Sequence, residues 1–308
     1  MREDRRTLLT ALAFISPNAL IFALFTLIPV AATFVMAFFR WDPFTAPQFV
    51  GFANFNDALS SRQFWYYFGN TLVFMLGLPL SMAGSLMLAS ALHQKLRGRI
   101  AYRVLFYLPT ITGGAALFLL WKTMFNKESG LINTLLLPVL QIFDPSLTMA
   151  GMPDWLKDSA SLFGIQVAWA KPALIMMGVW ASIGGGAMLL YLAALSGVPP
   201  ELYEAAEIDG AGRWQRFWNI TWPMVAPTTF FIFVTGVIGG LQGGAEMAIL
   251  MTAGGPDGAT TTIGYEIFKR AFLQNEFGYA AAVSVILFAL IAVVTAVNWR
   301  FGSRAGGW

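Results

Sequence analysis

The 308-residue sequence has no cysteine, one histidine and only 11% charged residues. Without cysteine there is no disulfide, thiol nucleophile or thiolate metal site. The histidine, His93, lies in a basic segment without further metal-binding side chains, which favours a solvated loop residue over a ligand. No phosphate-binding loop of the form GxxxxGK(S/T) and no His/Asp/Glu metal cluster occurs. These absences argue against an enzyme and a metal centre, and the net charge of +3 indicates no nucleic-acid partner.

Long apolar runs dominate the sequence, which is 57% hydrophobic. About 20 consecutive apolar residues suffice for a helix to cross the roughly 30 Å hydrocarbon core of a bilayer. The runs are continuous and do not alternate with polar residues, so they favour helices over a barrel. We therefore predict an all-α membrane protein forming one domain, residues 1–308, with six transmembrane helices. Their approximate ranges are residues 8–39, 64–92, 104–125, 172–195, 223–251 and 278–299.

The distribution of lysine and arginine predicts the orientation of these helices. Short cytoplasmic segments of membrane proteins are enriched in both residues. Eleven of the 19 basic residues lie in four short segments: Arg2, Arg5 and Arg6; Lys95, Arg97, Arg99 and Arg103; Arg213 and Arg216; Arg300 and Arg304. Both termini and the loop 196–222 are therefore predicted to be cytoplasmic. The loop 126–171 is predicted to be an extended periplasmic connection with a short helix near residues 131–142.

The stretch ELYEAAEIDGAGRWQRFWNITWP, residues 201–223, is unusually rich in charge for this chain. Pro199 and Pro200 are suited to the first turn of a helix. Leu202, Ala205 and Ala206 would share one face of that helix. A glycine, Gly210 or Gly212, would end it in a left-handed conformation, and a second short helix would follow. The pattern predicts an amphipathic helix–turn–helix that fits a groove on a partner, the alternative being a solvated charged loop.

Within this stretch, Glu204-Ala205-Ala206, Gly210 and Ile220-Thr221-Trp222-Pro223 resemble the EAA loop of binding-protein-dependent ABC importer permeases. Trp222 stands where that family usually has leucine. The stretches FVGFANF, FWYYFGNTLVF, GLIN and TAGGPDGATTT are similar to first subunits of its carbohydrate-uptake branch, of the maltose and glycerol-3-phosphate types.

The resemblance implies a type I ABC importer permease fold in the bacterial inner membrane. It also implies four kinds of partner: a second permease, two copies of a cytoplasmic ATPase that carry ATP and magnesium, a periplasmic or lipid-anchored binding protein, and a saccharide. The chain itself would need no cofactor and would contact membrane lipid. In the family the EAA loop inserts into a cleft of the ATPase. The implied coupling residues are Glu201, Leu202, Glu204, Ala205, Ala206, Asp209, Gly210, Arg213 and Pro223.

Four residues are candidates for the substrate path. Glu246 and Gln242 would lie one turn apart on one face of the fifth helix, where a carboxylate and an amide could bind sugar hydroxyls. Gly243 and Gly244 stand where the family usually has bulky residues, which predicts a cavity that is roomier or differently shaped. Glu246 could equally lie hydrated at the outer helix end. Trp180 precedes a run of small residues that favours close helix packing over a cavity wall. Asn70 is similarly ambiguous.

Two rival functions are less well supported. An ion-coupled secondary transporter acting alone would need buried ionisable sites and usually inverted repeats with broken helices, and only Glu246 qualifies here. A membrane scaffold protein is the second rival. The sequence does not identify which sugar is carried.

Overall fold

The computed structural model describes residues 2–94, 96–162 and 165–305 of the chain. These residues form two compact units. The first contains the residues up to 64 together with 267–289, and the second contains 65–266 together with the residues from 290.

In the first half of the chain, the described residues form eight helices and two short strands. They are α1 Arg2–Phe22, α2 Ile28–Met36, β1 Phe39–Arg40, β2 Gln48–Phe49, α3 Ala53–Ser60, α4 Arg62–Met75, α5 Gly77–His93, α6 Arg99–Ile111, α7 Ala115–Met124 and α8 Leu131–Leu140. A π-helical segment, Ala23–Leu27, joins α1 to α2. The predicted first run is therefore helical as far as Met36 and then turns into a strand.

The second half adds two strands and eight helices. They are β3 Ser159–Leu162, β4 Ile165–Ala168, α9 Ala170–Ile183, α10 Gly186–Ser196, α11 Pro200–Ile208, α12 Arg213–Arg216, α13 Trp222–Gln242, α14 Ala245–Met247, α15 Ile263–Phe268 and α16 Phe277–Ala305. Three further π-helical segments are Phe217–Thr221, Ala248–Thr252 and Lys269–Leu273, and a 3-10 turn covers Met149–Gly151. Helix α15 and its π-helical extension lie between the fifth and sixth predicted helices and were not predicted from the sequence.

Four helical stretches among the described residues are long and apolar enough to cross a membrane. They are Thr10–Met36, Arg62–His93, Arg213–Gln242 and Phe277–Arg300. Two bent pairs raise the number to six if each counts as one span: Arg99–Ile111 with Ala115–Met124, and Ala170–Ile183 with Gly186–Ser196. The helical membrane fold predicted from the sequence is thereby confirmed.

The third and fourth predicted helices are not continuous. The third bends by 96° between α6 and α7, where Gly113 and Gly114 follow Pro109, and the fourth bends by 41° between α9 and α10. Gly184 at the second break lies against α6 so closely that a Cβ atom there would collide with the Phe106 carbonyl oxygen. Proline has no N–H group to donate within the helix, and glycine has no side chain to restrict its backbone. Both therefore allow a helix to bend. The prediction of unbroken helices is corrected accordingly.

In the first unit a small core forms where α2 ends. Ala37, Ala281 and Ala282 are buried together there, and Phe38 packs against Phe55 with ring centroids 5.3 Å apart. Asn54 of α3 is also buried. Its amide nitrogen donates hydrogen bonds of 2.9 Å to the carbonyls of Ala37 and Phe39 and so holds the short hairpin of β1 and β2 in place.

The core of the second unit lies between α5, α10 and α13. Met188 and Val225 are fully buried, and Tyr191 is 1% exposed. Because lipid is as apolar as these side chains, close van der Waals packing holds the helices together more than the hydrophobic effect does. A second cluster joins Trp121 and Phe125 of α7 to Leu174 of α9 and Met251.

The connection 126–171 folds onto this second cluster. Asn133 of α8 is fully buried, and its amide donates to the carbonyls of Lys127 and Pro153 at 3.0 and 3.1 Å. The indole nitrogen of Trp155 donates in turn to Asn133 Oδ1 at 2.6 Å. The short helix predicted near residues 131–142 is present as α8. These contacts make the connection a cap that packs on the neighbouring helices.

Candidate functional site

Helix α11 ends in a glycine turn. Pro200 occupies its first turn, and Gly210 follows its last residues with φ of +75°. The N–H of Ala211 donates to Ala206 at 2.8 Å, and the N–H of Gly210 donates to Glu207 at 3.1 Å. These two bonds form a Schellman motif, which satisfies carbonyls that the helix end leaves free. The sequence left open whether Gly210 or Gly212 ends the helix, and the structure selects Gly210.

Gly212 instead begins the next helix. Its φ is −67°, and its N–H donates to the Gln215 side chain at 2.7 Å. Helix α12 then continues through the π-helical segment Phe217–Thr221 into α13, with Pro223 in the first turn of α13. The structure therefore contains the helix, turn and second helix that the sequence predicted. We call residues 201–223 the EAA segment.

Two side-chain contacts join α11 to the second half of the EAA segment. The hydroxyls of Tyr203 and Thr221 lie 2.9 Å apart, and Thr221 is buried. The guanidinium of Arg216 lies 3.6 Å from the carboxylate of Glu207, which is largely exposed. The hydroxyl pair spans the turn, so it fixes α11 relative to the start of α13. The exposed ion pair contributes little in water.

The outward surface of α11 combines apolar and acidic residues. Leu202 is 42% exposed and Ile208 is 87% exposed, while Tyr203 and Ala206 lie half-buried. The sequence grouped Ala206 with Leu202 and Ala205 on one face, and the structure corrects this because Ala206 turns inward. The acidic residues Glu201, Glu204 and Asp209 and the basic residue Arg213 are exposed as well. Such a surface suits a groove with an apolar floor and a basic rim.

Ile208 was not among the residues chosen from the sequence. Its spacing of three residues from Ala205 and six from Leu202 was visible in the sequence, but the EAA pattern drew attention to Ala206 instead. The structure makes Ile208 the most exposed large apolar side chain of the described residues.

The fifth predicted helix is broken between its two polar candidates. Helix α13 ends at Gln242, Gly243 is extended, and Gly244 has φ of +88° before α14 begins at Ala245. Gln242 and Glu246 are both exposed but belong to different helices. The prediction that they share one face of a continuous helix was wrong, because two consecutive glycines allow a turn that side chains would oppose.

A cavity of about 430 Å³ lies beside this break, between α4, α5, α9 and α13. Gly243 and Gly244, the two glycines that the sequence analysis associated with a cavity, are part of its lining. Four hydroxyl side chains that the sequence analysis missed also line it: Thr71, Ser81, Ser182 and Thr262. The cavity is thus mainly apolar with a few hydroxyl groups.

The candidate substrate residues are not gathered in this cavity. Its lining contains none of Asn70, Trp180, Gln242 and Glu246. Trp180 is 47% exposed and meets Trp121 edge to face, with centroids 5.5 Å apart. Asn70 is 2% exposed and donates to the carbonyls of Gly258 and Thr261 at 2.9 and 3.0 Å. These bonds favour a structural role for Asn70 over the substrate contact that the sequence suggested.

The first unit has a separate polar pocket of about 800 Å³. Its lining includes Trp41, Asp42, Asp57 and Tyr279. Hydrogen bonds from the Thr45 hydroxyl and the Phe44 N–H lower the pKa of the exposed Asp42 carboxyl below its usual value. Aromatic rings and charges of both signs in one pocket suit a ligand rich in hydroxyl groups.

Comparison with known proteins identifies the family. The family model described as "binding-protein-dependent transport system inner membrane component" matches residues 81–305. The chain belongs to this family. It is therefore a permease subunit of an ABC importer, a transport component and not the ATPase.

Curated relatives of this permease align along almost its entire length. A probable ABC transporter permease protein, YesP of Bacillus subtilis, is 33% identical over 98% of this chain and 93% of its own. The sn-glycerol-3-phosphate transport system permease protein UgpA of Agrobacterium fabrum is 31% identical over 93% and 92%. The diacetylchitobiose uptake system permease protein NgcF of Streptomyces coelicolor is 31% identical over 96% and 83%.

A solved structure shares the fold of this permease. It is a bacterial alginate ABC transporter in complex with an alginate pentasaccharide-bound periplasmic protein, matched with a TM-score of 0.78. The match covers 98% of this chain and 96% of that one at 23% identity, which supports the fold alone.

Proposed function

We propose that this permease carries a saccharide or saccharide derivative across the inner membrane and that the EAA segment docks on a cytoplasmic ATPase. The observation that carries the docking proposal is the surface of α11, where exposed Leu202 and Ile208 lie among exposed carboxylates at a rigid glycine turn. A surface of this kind transmits motion because the Schellman turn and the Tyr203–Thr221 contact resist bending.

The substrate class is inferred from the relatives. Two of these relatives are named for the transport of sn-glycerol 3-phosphate and of diacetylchitobiose. Both substrates are rich in hydroxyl groups, so we expect the same of the substrate of this permease. The remaining components of the importer are a second permease, two ATPase subunits that hold ATP and magnesium, and an extracytoplasmic binding protein. Both termini and the EAA segment lie in the cytoplasm in this arrangement, in keeping with the positive charges around them.

Two glycines in one turn provide the test of docking. Gly210 has φ of +75°, which an alanine adopts only at a cost of about 1–2 kcal/mol, whereas Gly212 has an ordinary φ of −67°. Gly210→Ala should weaken ATPase binding about tenfold. Gly212→Ala is the matched control and should leave it unchanged. The measurement is the amount of ATPase that co-purifies with the tagged permease at a series of dilutions.

The docking proposal fails if Gly210→Ala and the more disruptive Gly210→Pro both retain ATPase and transport as the unchanged chain does. Membrane insertion of each variant is monitored in parallel, because a variant that does not insert tests folding and not docking.

A second experiment concerns the substrate path. Glu246 is exposed at the start of α14, beside the glycine-lined cavity. We expect Glu246→Ala to raise the substrate concentration needed for half-maximal uptake or to alter substrate preference, while ATPase and partner permease still co-purify. Exposed Glu128, in the connection 126–171, provides the control Glu128→Ala. Unchanged uptake kinetics in Glu246→Ala would remove this residue from the path.

A further inference from the structure

A groove of about 810 Å³ runs along α5 in the second unit. Its α5 wall is formed by residues that recur every three or four positions from Pro79 to Gln94. At 1.5 Å of rise per residue this wall is about 22 Å long. The opposite wall contains Trp222 and Phe233 of α13, and the buried Tyr191 of α10 contributes to the lining. The groove is thus a long slot parallel to membrane-spanning helices.

Polarity is concentrated at one end of this slot. Along most of its length the lining is apolar, with Met82, Leu86 and Met87 on the α5 wall. At the end where α5 stops, the lining includes the amide of Gln94 and the guanidinium of Arg213, which is exposed. Among the residues that the structure describes, Arg213 is the only charged residue in the groove lining. A ligand that matches this arrangement is an apolar chain with an anionic group at one end.

A row of aromatic rings marks the same end as the membrane surface. Trp214, Phe217 and Trp218 follow one another with centroid distances of 6.3 and 5.2 Å. Trp218 also meets Trp222 at 5.9 Å. Tryptophan is enriched where lipid headgroups begin, because its ring is apolar and its N–H is polar. A membrane surface at this row of rings would place Arg213 at the depth of lipid phosphates.

The groove follows α5 for about 22 Å and is apolar along most of that length. An extended hydrocarbon chain lying along it would contact apolar side chains over its whole length, with its headgroup at the polar end.

We propose that this groove binds one acyl chain of an anionic phospholipid, with the lipid phosphate at Arg213. The lipid would contact α5 and α13 and, through Trp214, Phe217 and Trp218, the EAA segment itself. Its occupancy therefore stabilises the position of α12, and the lipid composition of the membrane tunes how firmly the segment is held. This site depends on the EAA segment lying at the membrane surface. It assigns Arg213, which the family resemblance placed among the coupling residues, to the lipid and leaves the ATPase contact to α11.

The test is a count of retained lipid on the assembled importer, with both permeases and the ATPase. The complex is reconstituted in vesicles of phosphatidylcholine and phosphatidylglycerol, re-extracted, and analysed by native mass spectrometry. Ala83 lies exposed on the α5 wall, so Ala83→Trp fills the slot. We expect this variant to retain one phosphatidylglycerol fewer than the unchanged complex. Ala292→Trp makes the same change at an exposed position of α16 outside the groove lining and should retain the full number.

The headgroup end is tested by charge. Arg213→Gln should lower the preference for phosphatidylglycerol over phosphatidylcholine about fivefold, which corresponds to one lost cation near an anionic headgroup. Arg62→Gln, outside the groove, serves as the control.

Two results would overturn the lipid site. One is an equal lipid count in Ala83→Trp and the unchanged complex. The other is loss of the second permease from Ala83→Trp, which would make the groove a contact between subunits. If the Ala83→Trp permease cannot be purified as a folded protein, the milder Ala91→Leu on the same wall replaces it. The number of phosphatidylglycerol molecules retained by that variant is then compared with the unchanged complex. Binding of ATPase in Gly210→Ala is a separate readout, so failure of docking and failure of lipid binding remain distinguishable.

Discussion

The second unit contains two kinds of connection between helices, and they are stabilised in opposite ways. The connections next to α4 and α8 are each held by a buried asparagine. Asn70 donates to the carbonyls of Gly258 and Thr261, and Asn133 donates to those of Lys127 and Pro153. Each amide donates hydrogen bonds to two loop carbonyls. A carbonyl shielded from water and left without a donor would lower the free energy of unfolding, so these bonds stabilise the connections.

The EAA segment contrasts with these connections. Helices α11 and α12 contain no buried residue, and the segment is fastened mainly by one hydroxyl pair and one exposed ion pair. Its large apolar side chains point outward, with Ile208 at 87% and Trp214 at 75% exposure.

The connections with a buried asparagine satisfy their polar groups within the chain. The EAA segment instead has exposed apolar side chains that would become buried only against a partner. Substituting a buried asparagine should therefore lower the stability of the permease itself. Substituting an exposed apolar residue of the EAA segment should instead weaken binding to a partner protein. Stability and association measurements should therefore separate the two regions.

Asn70→Ala should have the largest effect on stability. It leaves the buried carbonyl of Thr261 and the partly buried carbonyl of Gly258 without their donor, at a cost of about 3 kcal/mol in the free energy of unfolding. The midpoint of thermal unfolding of the purified permease in detergent should fall by several degrees. Asn219→Ala, at an exposed position of the EAA segment, is the control and should leave the midpoint unchanged. Equal midpoints for both variants would contradict the contrast between the regions.

Ile208→Asp should have the converse effect. The side chain is almost fully exposed in this chain, so the midpoint of unfolding should not change. Burying such a side chain in a partner contributes about 1.5–3 kcal/mol, so ATPase binding should weaken at least tenfold. Phe143→Asp replaces another highly exposed apolar side chain, in the connection 126–171, and should leave ATPase binding intact. A fall in thermal stability without loss of ATPase would show that Ile208 acts within the chain.

The sequence predicted features that depend on local pattern. Run length and hydrophobicity indicated the spans. Pro200 and the two glycines, Gly210 and Gly212, indicated α11 and a turn after it, without selecting which glycine ends the helix. These features depend on neighbours within a few residues, which the sequence displays directly.

The features that escaped prediction depend on contacts distant in sequence. Asn70 binds carbonyls almost 190 residues further along the chain, so neither its burial nor its partners could be inferred from its surroundings. The break at Gly243 and Gly244 was interpreted as extra room in a straight helix, since glycine alone does not specify a turn. The hydroxyl groups of the cavity likewise come together only when four helices pack.

The smallest effect is expected where the EAA segment is fastened to itself. Tyr203→Phe and Thr221→Val each remove one hydroxyl of the 2.9 Å pair. If the pair stabilises the turn, the two changes are coupled, and the double variant loses less stability than the sum of the single variants by about 1 kcal/mol. The free energies come from denaturant unfolding of the purified permease. Additive losses would mean that the turn is held by the Schellman bonds of Gly210 and Ala211 without help from the side chains. In that case the rigidity of the segment is a property of its backbone, and only substitutions at Gly210 should weaken both the turn and the ATPase contact.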